Sequence, residues 1–555
     1  MYTLAVGLLI LVLAVAFLSS LWVNRRIVFD DSFISYQYSR NLANGTGLVF
    51  NTEQGPVEGY TNFLLVLLLA PVIKLGGDPL LFTQLLSIAC VLVVGAIMSV
   101  LAMEQFGMSS TRARLLAAAL SLNPAGAALI SMLGLETLLY SALLFGAFLF
   151  VARFMKSGKL RHLFICGILS FLAFLTRPEV VLFVSAAWLV VVAANKGGIR
   201  DKLNISAILG LSFVLPLLVY IAWKQMYFGS ILPNPFYIKA QSSDLISTFG
   251  LLSVVEYVRD TLPLIIVAAI SLYLLRRLTP LLVLCTLYIV LHIAFYLHVD
   301  TLMNMGNRFL YPITPFIVIL TLPLVSRLLR WAQQTDIDEN SSKRERKQPV
   351  GLRAITVVVV LAISFIPFAA LRDVYAMTQG ETFYADSRVL MNREYTFARE
   401  LQSYPDISNV RIAFSDAGVI SYFTDAHIID IVGLNDKYIA REREREKLLS
   451  YVFGQQPTIF VLPSDKKGSW LQYGHGPLGD YLSWADDARW CDYIYVGTIV
   501  TNLYDLQLLA RKDYTKLAEL KKFLKGIVDV VYEPFPFRLG TNCGNSGPVP
   551  LLMRQ

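Results

Sequence analysis

What most restricts this chain is a near-unbroken succession of apolar runs from Met1 to about Leu371. Most of them approach the roughly 20 residues that an α-helix needs to cross a bilayer. In hydrocarbon every backbone polar group has to be satisfied internally, which only helices and closed barrels achieve. Hydrophobic residues make up 55% of the chain and charged ones 16%, excluding a soluble protein with a single core. The first run, Tyr2 to Val23, has no basic start and is long for a cleavable leader, so a retained anchor is expected.

Lysine and arginine set the orientation, because basic residues in short loops stay on the cytoplasmic side. They collect at Arg112 with Arg114, at Arg153 with Lys156, Lys159 and Arg161, at Lys196 with Arg200 and Lys202, at Arg276-Arg277, and from Arg327 to Arg353. The outward set is then the long loop after Val23, the turns at Gly134-Leu135-Glu136 and Arg177-Pro178-Glu179, the stretches Lys224 to Glu256 and His298 to Arg308, and everything after Leu371. Thr61 to Leu75, about fifteen residues, would break the parity if it crossed and reads as an outer-surface or re-entrant helix. The expectation is a polytopic α-helical membrane protein of about eleven spans with its amino terminus inside, Leu163 to Leu175 being the weakest span.

Two domains follow: a membrane part, 1–371, whose first outer loop is 24–78, and an extracytoplasmic α/β domain, 372–555. The second has strand-like pieces at Val410 to Phe414, Ile428 to Val432, Thr458 to Leu462 and Tyr493 to Val500, with a charged helical run from Arg441 to Leu449. The net charge of +8 is spread over short loops rather than one basic face, so nucleic acid is not an expected partner. Five cysteines form no Cys-x-x-Cys pair and five histidines are scattered, so no zinc framework is legible. Cys491 and Cys543 share the outer domain, where a disulfide and two buried thiols are equally compatible readings.

The outward pieces hold the chemistry. After the first run the chain reads Asp30-Asp31-Ser32-Phe-Ile-Ser-Tyr36-Gln-Tyr38-Ser-Arg40-Asn41 and on to Asn44-Gly45. Asp31 or Ser32 as the cap of a short helix ending at Asn44-Gly45 is the plain reading. It leaves unexplained why two carboxylates stand side by side at headgroup level, where like charges raise each other's pKa. A proton-accepting role would use that. Glu58 and Asn62, in Val57-Glu58-Gly59-Tyr60-Thr61-Asn62, would share a face if the following helix begins early enough. Glu136, Arg177 with Glu179, Asn234 with Lys239, and Asn307-Arg308 complete a set of acids and cations on one membrane face. Acids there can take a hydroxyl proton, and Arg or Lys can hold a phosphate through charge-assisted hydrogen bonds.

The stretch Asp30 to Asn51 followed by Val57 to Asn62 resembles the first outer loop of C-type glycosyltransferases (GT-C), and within them it is most similar to the actinobacterial cell-wall arabinofuranosyltransferases and their bacterial relatives. Leu133-Gly-Leu-Glu136-Thr, Leu175-Thr-Arg177-Pro-Glu179, Gly306-Asn-Arg308-Phe-Leu-Tyr-Pro312, Ser415-Asp-Ala-Gly418 and Ile429-Asp430-Ile-Val-Gly433-Leu434 look like further pieces of that group. The resemblance implies a bacterial cytoplasmic (inner) membrane enzyme that takes a sugar from a polyprenyl phosphate in the outer leaflet. An acid of the first loop would be the base: Asp30, with Asp31 competing. The acceptor would be an extracytoplasmic glycan, lipid or protein. Arg308, Arg177 and Lys239 would hold the departing phosphate, while Glu58, Asn62, Glu136, Tyr60 and Arg40 would orient sugar or acceptor. Arabinofuranose is suggested by the likeness alone, and mannose would need the same acids and cations. A divalent cation bridging the phosphate is compatible, but no cluster demands one. The rival reading is a transporter or flippase for a lipid-linked sugar, although neither midplane polar groups nor paired repeats are legible.

Overall fold

The computed structural model describes residues 2–25, 27–122, 124–239, 246–275, 278–301, 304–339, 383–465, 471, 478, 480, 487–527 and 530–531. Its first helices are α1 (Tyr2–Asn24), α2 (Asp30–Ala43), α3 (Phe63–Lys74), α4 (Pro79–Phe106), α5 (Thr111–Ser121), α6 (Pro124–Met132), α7 (Thr137–Ser157) and α8 (Leu160–Phe174). Next come α9 (Val180–Ala194), α10 (Ile199–Leu209), α11 (Leu215–Phe228), α12 (Asn234–Lys239), α13 (Thr248–Tyr273), α14 (Pro280–His298) and α15 (Thr314–Glu339). Beyond residue 382 lie α16 (Phe383–Leu401), α17 (Ala417–Phe423), α18 (Lys437–Arg441), α19 (Arg445–Gly454) and α20 (Leu517–Gly526). The strands are β1 (Arg411–Phe414), β2 (His427–Asp430), β3 (Ile459–Ser464), β4 (Tyr493–Ile499), β5 (Asp505–Arg511) and β6 (Val530–Val531). The chain divides into two compact units, one from Met1–Arg26, Leu80–Trp223 and Ser242–Gln379, the other from Ile27–Pro79, Lys224–Gln241 and Gly380–Gln555.

The first unit is helical and makes the chain a multi-pass membrane protein. Among the described residues six stretches are long and apolar enough to cross a membrane: Gly7–Asn24, Pro79–Phe106, Thr137–Ser157, Ile199–Phe228, Pro280–His298 and Met305–Leu328. A seventh counts if α5 and α6, bent by 55°, form one broken span. The difference from the expected count has physical reasons. Helices α8 and α9, at 15 residues each, reach about 22 Å, short of the roughly 30 Å hydrocarbon core. Helix α13 carries Glu256, Arg259 and Asp260, and the apolar run ending at Leu371 lies outside the described residues.

Hydropathy does not say which helix faces protein. The Met305–Leu328 window has mean hydropathy 1.9 and is 94% buried, whereas Gly7–Asn24, at 2.2, is 22% buried and turns Leu8, Leu11, Leu18 and Trp22 outward. Phe316 of the buried helix packs between Phe148, Phe145 and Tyr288, with ring centroids 5.0, 5.6 and 4.8 Å away. Helix association in lipid rests on such close packing rather than on removal from water, which is why small residues matter at crossings. Gly167 of α8 shows it: a Cβ there would collide with the Ser212 hydroxyl in the π-helical turn Gly210–Val214.

The second unit holds a six-stranded sheet, order β2-β1-β3-β5-β4-β6, with β2, β1 and β3 parallel and β5, β4 and β6 antiparallel. Its core is aromatic, Phe453, Phe460 and Tyr493 surrounding the fully buried Trp490. Edge strand β2 is covered by the first loop: Asn51 donates to Ile428 O at 2.8 Å and accepts from Ile428 N at 3.1 Å, as a neighbouring strand would. The charged run from Arg441 to Leu449 is not one helix, since the chain extends at Glu442 and Glu444 between α18 and α19. Helix α3 belongs to this unit, and its 12 residues reach about 18 Å, too short to cross.

Candidate active site

Helix α2 opens on the acid pair. Neither Asp31 nor Ser32 caps it: Phe29 is the N-cap residue, in extended conformation, and the Ser32 hydroxyl donates backward to Phe29 O at 2.7 Å. Asp30 and Asp31 therefore stand in the first turn, where the exposed N–H groups favour negative charge. Asp31 is half-buried, whereas Asp30 is 6% exposed. The Asp30 carboxylate accepts from Gly418 N at 2.9 Å through Oδ2 and from Val419 N at 2.6 Å through Oδ1. These are the opening amides of α17, and Gly418 is required because a Cβ would strike the Asp30 carbonyl. One amide on each oxygen fixes the carboxylate plane and leaves each oxygen a second acceptor direction.

The surroundings push Asp30 well above the usual carboxylate range: burial first, then the charge of Asp416, with Asp31 adding to both. Glu394 of α16, also buried, is raised for the same reasons, burial followed by the charges of Asp416 and Asp30. Three carboxyls thus share one pocket of the second unit, and the charges bearing most on Asp30 are other acids. Asp416 lies within the quoted Ser415-Asp-Ala-Gly418 piece; Glu394 lies in no motif, and nothing in the sequence marks it. Among the described residues no group of three or more His, Cys, Asp or Glu could hold a metal ion.

The rest of the first loop is locked to the β2 turn. Asp430 accepts from Val432 N at 3.0 Å, Gly433 N at 3.1 Å, Asn435 N at 2.8 Å and Asn435 Nδ2 at 2.9 Å. Burial still raises its pKa to about 6. Asn435 Oδ1 accepts from the Tyr38 hydroxyl at 3.2 Å, and that hydroxyl accepts from Gly59 N at 3.1 Å. A side chain at 59 would collide with Asn435. Glu58 is buried in an ion pair with Lys224 at 2.6 Å. Tyr60 packs edge-on against Tyr38 with centroids 4.7 Å apart. Asn62 is the N-cap residue of α3 and accepts from the Ser35 hydroxyl at 3.0 Å. Because α3 begins at Phe63, Glu58 and Asn62 do not share a helical face. Arg40 donates to Tyr422 O at 2.7 Å and Ser421 O at 3.4 Å, at the carboxyl end of α17. Lys239 ends α12, and its side chain lies outside the described residues, as does Cys543.

In the first unit a second polar cluster lies at one end of α7, α9 and α14. Arg177 donates to Glu136 Oε1 through Nε at 2.8 Å and, through Nη1, to Glu179 Oε1 and the Tyr296 hydroxyl, both at 3.2 Å. Tyr296 in turn donates to Glu179 Oε1 at 2.6 Å. Arg177, Glu136 and Glu179 are 5%, 5% and 8% exposed, so their charges offset one another inside the bundle. Phe309 separates this cluster from the next cation, with the Arg177 guanidinium 5.1 Å and that of Arg308 4.8 Å from its ring centre. Two devices fix the Arg308 segment: left-handed backbone at Gly306 and Asn307, and a hydrogen bond from Asn307 Nδ2 to Asp260 at 2.9 Å. Tyr296 was not legible as a site residue, being an aromatic among many in an apolar run.

Solved structures share this architecture. ArnT from Cupriavidus metallidurans bound to undecaprenyl phosphate aligns with TM-score 0.54 and 12% identity over 90% of this chain and 98% of its own. The same enzyme in the apo state aligns with TM-score 0.51 and 14% identity over the same shares. At these identities the likeness shows the fold, that of a C-type membrane glycosyltransferase. Residues 7–412 match the profile of the Alg9-like mannosyltransferase family, to which the chain belongs. It is a glycosyltransferase. Residues 387–528 match a domain of unknown function, DUF8728, and no curated protein matches the chain.

Proposed function

We propose that this glycosyltransferase takes mannose from a polyprenyl phosphate and transfers it, with inversion, to a hydroxyl of an extracytoplasmic glycan, lipid or protein. Mannose takes precedence over the arabinofuranose suggested by the first-loop resemblance, because the mannosyltransferase profile covers residues 7–412. The polyprenyl phosphate carrier is supported by the fold shared with an enzyme bound to undecaprenyl phosphate. Family membership favours enzyme over transporter. We place the enzyme in the bacterial inner membrane with the second unit outside, a reading supported by the fold shared with a bacterial enzyme bound to undecaprenyl phosphate.

The observation that carries the mechanism is Asp30 at the head of α2, oriented by two backbone amides among other acids. Its carboxylate takes the acceptor hydroxyl proton while that oxygen bonds to the anomeric carbon. The bond from that carbon to the phosphate oxygen breaks, and polyprenyl phosphate leaves with the electron pair. A raised pKa makes Asp30 a stronger base than a free aspartate, and positioned base catalysis contributes roughly 100- to 10,000-fold. Arg308 holds the phosphate, whose charge grows as it departs. Arg177, already paired with Glu136 and Glu179, positions the Phe309-Arg308 segment, with Glu136 as its partner. Lys239 adds a second cation for the phosphate, while Asp31, Glu58, Asn62, Tyr60 and Arg40 shape the loops of the second unit.

The test supplies purified protein in lipid with radiolabelled polyprenyl phosphate mannose, arabinofuranose and glucose in parallel. Transfer from the mannose donor above the others is expected. Transfer from arabinofuranose alone would reverse the sugar assignment, and transfer from none would remove the donor class.

A further inference from the structure

The second unit contains an open cleft of about 790 Å³ distinct from the Asp30 pocket. One wall is the 54–57 turn of the first outer loop, another is Tyr227 at the end of α11, and the floor comes from α18 and α19. The volume lies within the range of about 300 to 1,000 Å³ usual for small-molecule sites.

The lining is built rather than incidental. Tyr438 stacks on Tyr451 with centroids 4.4 Å apart and planes at 29°. The stack is pinned by Asp436, whose Oδ1 accepts from Tyr438 N at 2.8 Å and Ile439 N at 3.0 Å, while Oδ2 accepts from the Tyr451 hydroxyl at 2.9 Å. Tyr438 nevertheless stays 40% exposed, presenting an aromatic surface held in place. Around it stand Lys437, Arg441 and Glu442. Arg441 is itself fixed, 4.7 Å over the Tyr237 ring and donating to the Ser230 hydroxyl at 3.0 Å.

These features select a ligand class. The cations Lys437 and Arg441 are matched by the acids Asp436 and Glu442, so the lining has no net charge with which to attract phosphate or nucleic acid. A rigid aromatic face suits the C–H side of a sugar ring, and charged groups of both signs suit its hydroxyls, which donate and accept together. We infer that this cleft binds a neutral oligosaccharide, the acceptor glycan. The inference rests on the glycosyltransferase reading above and narrows its acceptor from glycan, lipid or protein to a glycan.

Calorimetric titration of the full chain in lipid nanodiscs with mannotriose, arabinotriose and a neutral tripeptide, no donor present, tests it. Saturable binding of at least one trisaccharide is expected, weakened at least tenfold in Tyr438→Ala and kept within about threefold in Tyr438→Phe, which retains the ring. Binding of neither sugar, unchanged binding in Tyr438→Ala, or preference for the tripeptide would overturn the inference. Loss of sugar binding with donor-dependent transfer intact defeats this inference alone; sugar binding with no transfer from any donor defeats the proposed reaction alone.

Discussion

The two buried acid clusters of this protein solve opposite problems. In the membrane unit Glu136 and Glu179 share Arg177, so burial costs are offset by charge pairing and hydrogen bonds. In the other unit Asp30, Asp416 and Glu394 crowd one another, and Asp30 is steadied by backbone amides. Charge compensation leaves each acid of the first arrangement bonded to the same guanidinium. Burial, with mutual repulsion added, raises the proton affinity of the second, which suits the proton-accepting role proposed for Asp30.

The contrast can be broken first at Arg177. Arg177→Ala leaves two buried carboxylates without their shared cation and should cost about 3 to 5 kcal/mol of stability, read as a large drop in Tm of the detergent-solubilised protein. An unchanged Tm would mean the first cluster is not structural. A smaller effect is expected from Asp430→Asn, which replaces an acceptor of several N–H groups with a side chain that places an NH₂ among them. The loss should be about 1.5 to 3 kcal/mol, with Asp30-dependent chemistry slowed only through loosened packing of Tyr38 and Gly59.

The smallest effect is a pH dependence. Asp430 titrates near 6 in the fold against 3.8 when free. A raised acid pKa means that the folded chain binds the proton more tightly, so its contribution to stability is complete below about 4 and is lost as pH rises to about 6. Asp30 and Glu394, also raised, act in the same direction. Tm should therefore fall over that interval, and the fall should shrink in Asp430→Asn. A rise in Tm over the same interval would contradict the assignment.

Much of the scaffold was legible from pattern alone. The pieces read as strands at 410–414, 428–432, 458–462 and 493–500 overlap β1, β2, β3 and β4, because short apolar runs rich in β-branched residues mark strands buried on both faces. Strand β5 escaped, its Asp505-Leu-Gln-Leu-Leu-Ala-Arg511 being without β-branched residues and therefore neutral in propensity. Span counting was harder, because hydropathy does not separate a crossing helix from a short apolar one such as α8 or α9. At the candidate site the acids of the first loop stood out as neighbours in sequence. Glu394 and the tie between Tyr38, Gly59 and Asn435 did not, since they arise from contacts between segments hundreds of residues apart. Arg40 and Arg177 carried the right charge for a ligand, yet each is occupied by groups of its own unit, which no spacing rule reveals.

Whether the Asp30 carboxylate takes the acceptor proton is read from single-turnover transfer by Asp30→Asn, with donor occupancy measured in the same lipid-embedded sample. Donor should bind as in the parent protein while the transfer rate falls by roughly 100- to 10,000-fold, with Asp31→Asn affected far less. A parental rate in Asp30→Asn at full donor occupancy would contradict a proton-accepting role for Asp30.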